Sequence, residues 1–214
     1  MELFEIYSSY HYSIFIEGDK YHKSPKTDAA FDRLKNSYET IKKVNNPYID
    51  TPELISDEFV GLYVPDIIKE IENYKLKNFI LELCEIVKYL HSLEIYALDL
   101  KPDHIRNNNN KIFLIDWYEK SHGAQWGDPY RLFTNGEPSK SEDIYAIGNL
   151  IYFYLTGKHP FSSNNPLQSL YMMRKSKPQL TYTIFDDIIG RCLSKNPRDR
   201  YSDINELIKE IKEA

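Results

Sequence analysis

Residues 89–116 read YLHSLEIYALDLKPDHIRNNNNKIFLID, and the rest of the chain is organised around this stretch. An apolar helical run ends at Tyr89-Leu90-His91, and a short link leads to Asp99-Leu100-Lys101-Pro102-Asp103-His104. Four consecutive asparagines, residues 107–110, make a polar turn, and the apolar run Ile112-Phe113-Leu114-Ile115 then delivers a second acid, Asp116. Two carboxylates on loops, with a lysine two residues after the first, suit phosphoryl transfer from a metal-bound nucleotide. One acid orients a hydroxyl, the lysine neutralises the moving phosphoryl group, and the other acid holds the metal. Asp116 ends an apolar strand, where an unpaired carboxylate is costly unless it has a partner or a metal.

The stretch resembles the catalytic and metal-binding loops of eukaryotic-type protein kinases, whose usual form is HRDLKPxN followed by DFG. Here those loops read Ala97-Leu98-Asp99-Leu100-Lys101-Pro102-Asp103-His104 and Asp116-Trp117-Tyr118. A second, separate match follows in the right order. Asp143-Ile144-Tyr145-Ala146-Ile147-Gly148 resembles the DxWxxG of the central kinase helix, and Thr156-Gly157-Lys158-His159-Pro160-Phe161 resembles its TGxxPF exit. The resemblance is strong from residue 79 to 201 and weak before residue 65. It implies an α+β, bilobal protein-kinase-like fold of the Ser/Thr type. A reduced β-rich N-lobe would occupy residues 1–64 and a helical C-lobe residues 65–214.

The same resemblance implies roles. Asp99 would orient the attacking hydroxyl, Lys101 would contact the γ-phosphate, and Asp116 would chelate the magnesium that bridges the phosphates. ATP with Mg²⁺ or Mn²⁺ is the expected cofactor set, and a protein the expected substrate. The lysine after Asp99 favours serine or threonine as acceptor. Val64-Pro65 falls at the hinge, where backbone groups receive the base. Asp143 would brace the catalytic loop from beneath.

Several positions depart from the family pattern. His104 stands where the family has a metal-binding asparagine; imidazole suits zinc and later transition metals better than magnesium. The histidine either ligates metal or only hydrogen-bonds Asp99 or the loop backbone. Ala97 and Leu98 replace the His-Arg whose arginine receives a phosphorylated activation loop, so loop phosphorylation is not expected to regulate this chain. No Ala-Pro-Glu follows Gly127-Asp128-Pro129-Tyr130. Arg200 resembles the arginine that would pair with that glutamate. Glu137 is one candidate partner; a different ion pair or a free surface arginine are the alternatives.

Before residue 65 the pattern is plainer. Residues 3–24 alternate, are rich in Phe, Ile and Tyr, and turn at Gly18-Asp19, which predicts two or three antiparallel strands. The stretch in place of a glycine-rich phosphate loop, residues 6–14, contains no glycine. Backbone approach to phosphate favours glycine, so Ser8 and Ser9 are the remaining candidates for phosphate contact, and an ordinary turn is the alternative. Lys23 is the first choice for the phosphate-pairing lysine, with Lys20 and Lys26 as alternates. Thr27 or Asp28 caps a helix carrying Phe31, Leu34, Tyr38 and Ile41 on one face. Glu39, late on that helix, is the candidate partner for the lysine. Strands are expected near residues 52–57 and 59–64, with helix from Asp66 onward.

The 214 residues are 42% hydrophobic and 28% charged, ordinary for a globular chain with a sizeable core. A net charge of −5 argues against general nucleic-acid binding, which needs clustered Lys and Arg. Cys84 and Cys192 fall in apolar helical patterns and read as small buried side chains. No secretory signal and no membrane-spanning run is present, so a cytoplasmic protein is expected. The last helix, opened by Ser202, is expected to close the large lobe. The missing glycines and the altered loops leave open two other readings, a kinase-fold scaffold without catalysis and a kinase of small molecules.

Overall fold

The computed structural model describes residues 4–96, 98–118, 126–130 and 137–214. Ala97 and most of the expected activation segment lie outside the described residues. The chain forms two compact units, residues 1–66 with 106–119, and residues 67–105 with 120–214.

The first unit is built on an antiparallel sheet of five strands in the order β1-β2-β3-β5-β4. These are β1 (Phe4–Ser8), β2 (Tyr12–Glu17), β3 (Lys20–Pro25), β4 (Glu53–Ile55) and β5 (Glu58–Leu62). Helix α1 (Asp28–Ile41) follows β3, and the Thr27 hydroxyl caps it by accepting from Ala30 N–H. Its buried face, Ala30, Leu34 and Ile41, packs against β3 and β4. Two tight hairpins rest on residues that tolerate left-handed backbone. Ser56 and Asp57 join β4 to β5 at φ 48° and 70°, and Asn109 and Asn110 join β6 (Ile105–Asn108) to β7 (Lys111–Leu114) at φ 52° and 63°. Positive φ at both central residues is what a two-residue hairpin requires, and Asn reaches it at low cost. The 106–119 segment is tied in where Leu114 N–H donates to Tyr48 O at 2.9 Å and Asp50 N–H donates to Leu114 O at 2.8 Å.

The second unit is helical. Helix α2 (Asn73–Ser92) packs against α3 (Lys140–Thr156) and α6 (Ile204–Glu213), and α3 packs against α5 (Asp186–Cys192). A further helix, α4 (Pro166–Lys175), is capped by the Asn165 side chain. The α2 stripe Leu76, Phe79, Ile80, Leu83, Ile86, Val87 and Leu90 is buried along its length, as its helical spacing predicts. Gly148 allows the close crossing of α3 over α5: a Cβ there would stand 2.5 Å from Cys192 Cβ. Both cysteines are free and buried.

Two expectations are corrected. Helix does not begin at Asp66; residues 66–72 are irregular and α2 starts at Asn73. The cap of the last helix is Asp203, whose carboxylate accepts from Asn205 and Glu206 N–H, and Ser202 lies one residue outside. The architecture is therefore α+β, an antiparallel-sheet N-terminal part followed by a helical C-terminal part. No described helix is long and apolar enough to cross a membrane.

Candidate active site

In the first unit, β3 delivers Lys23 to a pocket lined by Ile14, Leu62, Val64 and Ile115 on its apolar side and by Tyr21, Lys23, Asp50 and Asp116 on its polar side. The pocket encloses about 90 Å³. Lys23 Nζ donates to Asp116 Oδ1 at 3.1 Å. The ammonium also lies over the Tyr12 and Tyr118 rings, 4.9 and 5.5 Å from their centroids, where the ring faces attract a cation. Asp116 has φ 49°, a left-handed backbone that aspartate adopts more readily than most non-glycine residues. Tyr118 donates its hydroxyl to Asp116 Oδ1 at 3.2 Å. Lys20, one alternate phosphate lysine, is exposed, and Lys26, the other, donates to Ser8 Oγ and Ser9 O.

Three expected first-unit contacts fall differently. Glu39 pairs with Lys42 on the exposed side of α1, whereas Lys23 pairs with Asp116. The reason is helical phase: nine residues beyond Ala30, at about 100° per residue, Glu39 is half a turn away from the buried face. Ser9 Oγ accepts from His11 and Tyr12 N–H, and Ser8 Oγ is held by Lys26, so both hydroxyls serve the turn between β1 and β2. Val64 is buried and lines the pocket.

In the second unit, the loop after α2 gathers Asp99, Lys101 and His104. Lys101 Nζ donates to Asp99 Oδ2 at 2.8 Å, and His104 Nδ1 stands 2.9 Å from the Asp99 carbonyl oxygen. A carbonyl only accepts, so Nδ1 carries a proton. The 3-10 turn Pro102–His104 sets this spacing. Among the described residues, Asp99 Oδ1 is buried with no hydrogen-bond partner, while Oδ2 is anchored by Lys101. A buried carboxylate oxygen left in that state is costly. Asp143 holds the loop from α3: Oδ1 accepts from Leu98 N–H at 2.7 Å and Oδ2 lies 2.8 Å from His91 Nε2.

The family model described as "Protein kinase domain" matches residues 36–213. The chain belongs to the protein kinase family. A protein of Acanthamoeba polyphaga mimivirus, named "Putative serine/threonine-protein kinase R436", is 25% identical over 187 residues, covering 78% of this chain and 67% of that protein. Serine/threonine-protein kinase PknA of Nostoc is 24% identical over 156 residues, 64% of this chain and 28% of its own length. A Dictyostelium discoideum protein named "Probable serine/threonine-protein kinase ireA" is 32% identical over 103 residues, 41% of this chain and 10% of its own. The chain thus spans less than a third of the length of two of these three relatives.

Within this kinase domain, Arg200 receives a partner that sequence reasoning missed. It makes a two-pronged pair with Asp128, Nη1 to Oδ2 at 2.6 Å and Nη2 to Oδ1 at 2.9 Å. Its Nε donates to Ser194 O at 2.9 Å, and its guanidinium lies over the Tyr145 ring. Glu137 is exposed, so it does not offer a buried arginine the acceptors it needs. The available signal was Asp128 itself, an acid fixed between Gly127 and Pro129 in the segment where the kinase glutamate normally falls.

The described residues hold no cluster of three or more His, Cys, Asp or Glu arranged for a metal ion. Magnesium is commonly held by one or two carboxylates together with substrate phosphates. Asp116, with an oxygen donor at a partly open pocket, fits such an ion.

Proposed function

We propose that this kinase domain transfers the γ-phosphoryl group of ATP to a serine or threonine hydroxyl of a protein. The carrying observation is Asp99: one oxygen is anchored by Lys101 and the other is buried without a partner. In the proposed reaction the hydroxyl oxygen bonds to the γ-phosphorus as its bond to the bridging oxygen breaks. ADP leaves, and the hydroxyl proton passes to Asp99 Oδ1. Lys101 offsets charge on the moving phosphoryl group. Lys23 holds the phosphates from the small lobe (residues 1–64), and the base rests against Val64. A magnesium or manganese ion on Asp116 would supply charge neutralisation along the phosphates. His104 keeps Asp99 in register through its carbonyl; a metal ligand role would fall to Nε2. The serine/threonine assignment draws on the names of the relatives. Two free buried thiols are in keeping with a reducing, cytoplasmic setting.

A scaffold reading is favoured by one observation, the commitment of the Ser8 and Ser9 hydroxyls to their own turn in a loop without glycine. The deciding experiment is labelled γ-phosphate transfer from ATP, with magnesium or manganese, to a generic protein and to the chain itself. Transfer that vanishes in Asp99→Asn and Asp116→Asn supports catalysis. No transfer, together with no ATP-induced rise in melting temperature, overturns it in favour of the scaffold.

A further inference from the structure

The pocket of the first unit contains a second acid, Asp50, that the reaction above does not use. It is 2% exposed. Tyr21 donates its hydroxyl to Asp50 Oδ2 at 2.6 Å, and the Tyr21 and Tyr118 hydroxyls lie 3.4 Å apart. Tyr118 in turn donates to Asp116 Oδ1 at 3.2 Å, the oxygen that also receives Lys23. A continuous polar chain therefore runs Asp50, Tyr21, Tyr118, Asp116, Lys23. Its backbone is pinned as well, because Trp117 Nε1 donates to Asp50 O at 2.6 Å.

The seat of Tyr21 is a separate observation. A Cβ on Gly61 of β5 would meet Tyr21 Cε1 at 2.6 Å and the Tyr21 hydroxyl at 2.8 Å. The cross-strand partner of Tyr21 in the β3–β5 ladder is Gly61. Strand β5 thus lacks a side chain where the Tyr21 ring must cross to reach Asp50.

Proton accounting gives the chain a direction. Each phenol has one proton to donate. A phenol keeps its proton at neutral pH, so both are donors. Tyr21 spends its hydroxyl hydrogen on Asp50 across the shortest contact, and its oxygen then has only lone pairs to offer Tyr118. The Tyr118 proton is left to Asp116 and the Tyr21 oxygen, which fixes where the phenol sits.

We infer that Tyr21 and Asp50 are positioning residues for nucleotide binding, acting through Tyr118 to hold the Asp116 carboxylate in the orientation that receives metal-bound phosphates. The inference rests on the reading under Proposed function. It takes over, from a different part of the chain, the support that Glu39 was expected to lend.

The test is calorimetric titration of ATP, with and without Mg²⁺, into wild type, Tyr21→Phe, Asp50→Ala (which removes the acceptor) and the double variant. Tyr21→Phe keeps the ring over Gly61 and removes only the hydroxyl. Each single variant is expected to weaken Mg²⁺-ATP binding about three- to tenfold, the range one net hydrogen bond supplies. Metal-free ATP binding is expected to change less than twofold, and the double variant to resemble the singles, because both cut the same chain. Unchanged Mg²⁺-ATP affinity in both singles overturns the inference. So does an equal loss with and without metal, which would mark plain packing. Wild type that binds no nucleotide overturns the functional reading along with it, and is told apart because the loss is already present before any substitution.

Discussion

Lys23 Nζ stands 3.1 Å from Asp116 Oδ1, and the two residues are 93 positions apart in sequence. Their side chains are 7% and 28% exposed, so the pair is far less open to water than an ordinary surface salt bridge. Pairs in such settings are screened little by salt and are costly to break from one side. This relationship joins strand β3 to the residue that ends the β6–β7 segment, and several expectations hang on it.

Lys23→Ala is expected to raise the Kd for Mg²⁺-ATP by about tenfold or more, since hydrogen bonds to charged groups contribute about 1.5–3 kcal/mol. Lys20→Ala, at an exposed position, should leave binding unchanged. The opposite pattern in a nucleotide titration would move the phosphate role to Lys20.

Asp99→Asn should lower turnover by about 10²- to 10⁴-fold, the usual worth of a positioned proton acceptor. Nucleotide affinity should be unaffected. Steady-state kinetics beside equilibrium binding separates the two; a variant that retains turnover would remove Asp99 from the chemistry.

His104→Asn should preserve or increase turnover. An asparagine amide can donate to the Asp99 carbonyl as Nδ1–H does now, and its oxygen suits magnesium better than imidazole. Turnover measured with Mg²⁺ and with Mn²⁺ checks this, and a large fall with both metals would show that the imidazole has a role of its own.

Asp128→Asn should lower the melting temperature by about 10 °C. Breaking a buried ion pair from one side costs about 3–5 kcal/mol, and each kcal/mol shifts a chain of this size by about 2–4 °C. Both side chains are nearly sealed from solvent, so salt should not mask the loss. Calorimetry that finds less than a few degrees of change would mean the arginine is satisfied without Asp128.

Burial pushes the Asp50 carboxyl up to about 7 from an ordinary 3.8, against the opposing Tyr21 hydrogen bond. The folded protein therefore binds a proton between about pH 4 and 7 that the unfolded chain has released. Stability from this group is present below pH 4 and is lost as pH rises through 7. Asp50→Asn should flatten that part of the curve and raise stability at pH 8. Denaturant melts across this range measure the slope; an unaltered slope in the variant would place the titration elsewhere.

Much of the second unit was open to reading in one dimension. The α2 stripe, the Asp99-Leu100-Lys101-Pro102 spacing and the Asp143 brace rest on neighbours within a few turns or on a motif whose order is its meaning. The three N-terminal strands and the Gly18-Asp19 turn were legible for the same reason, as alternation and turn chemistry are local. Glu39 shows a limit of another kind. Its helical phase was present in the sequence, but a position late on a helix was weighed above the angle at which it points.

Asp50 and Asp128 were beyond such reading. Each is an aspartate beside a proline-containing turn; Asp128 stands in the segment where the kinase glutamate normally falls, but nothing in the local sequence of either gives its burial or its partner. Only the folded chain brings Arg200 to Asp128 and Tyr21 to Asp50, because the energy of a buried charge depends on which distant groups exclude water and donate hydrogen bonds to it. Periodicity and motif order thus specify the family and the local elements. Which carboxylates are paired, buried or left with an open oxygen is a property of long-range packing, and tertiary structure alone decides it.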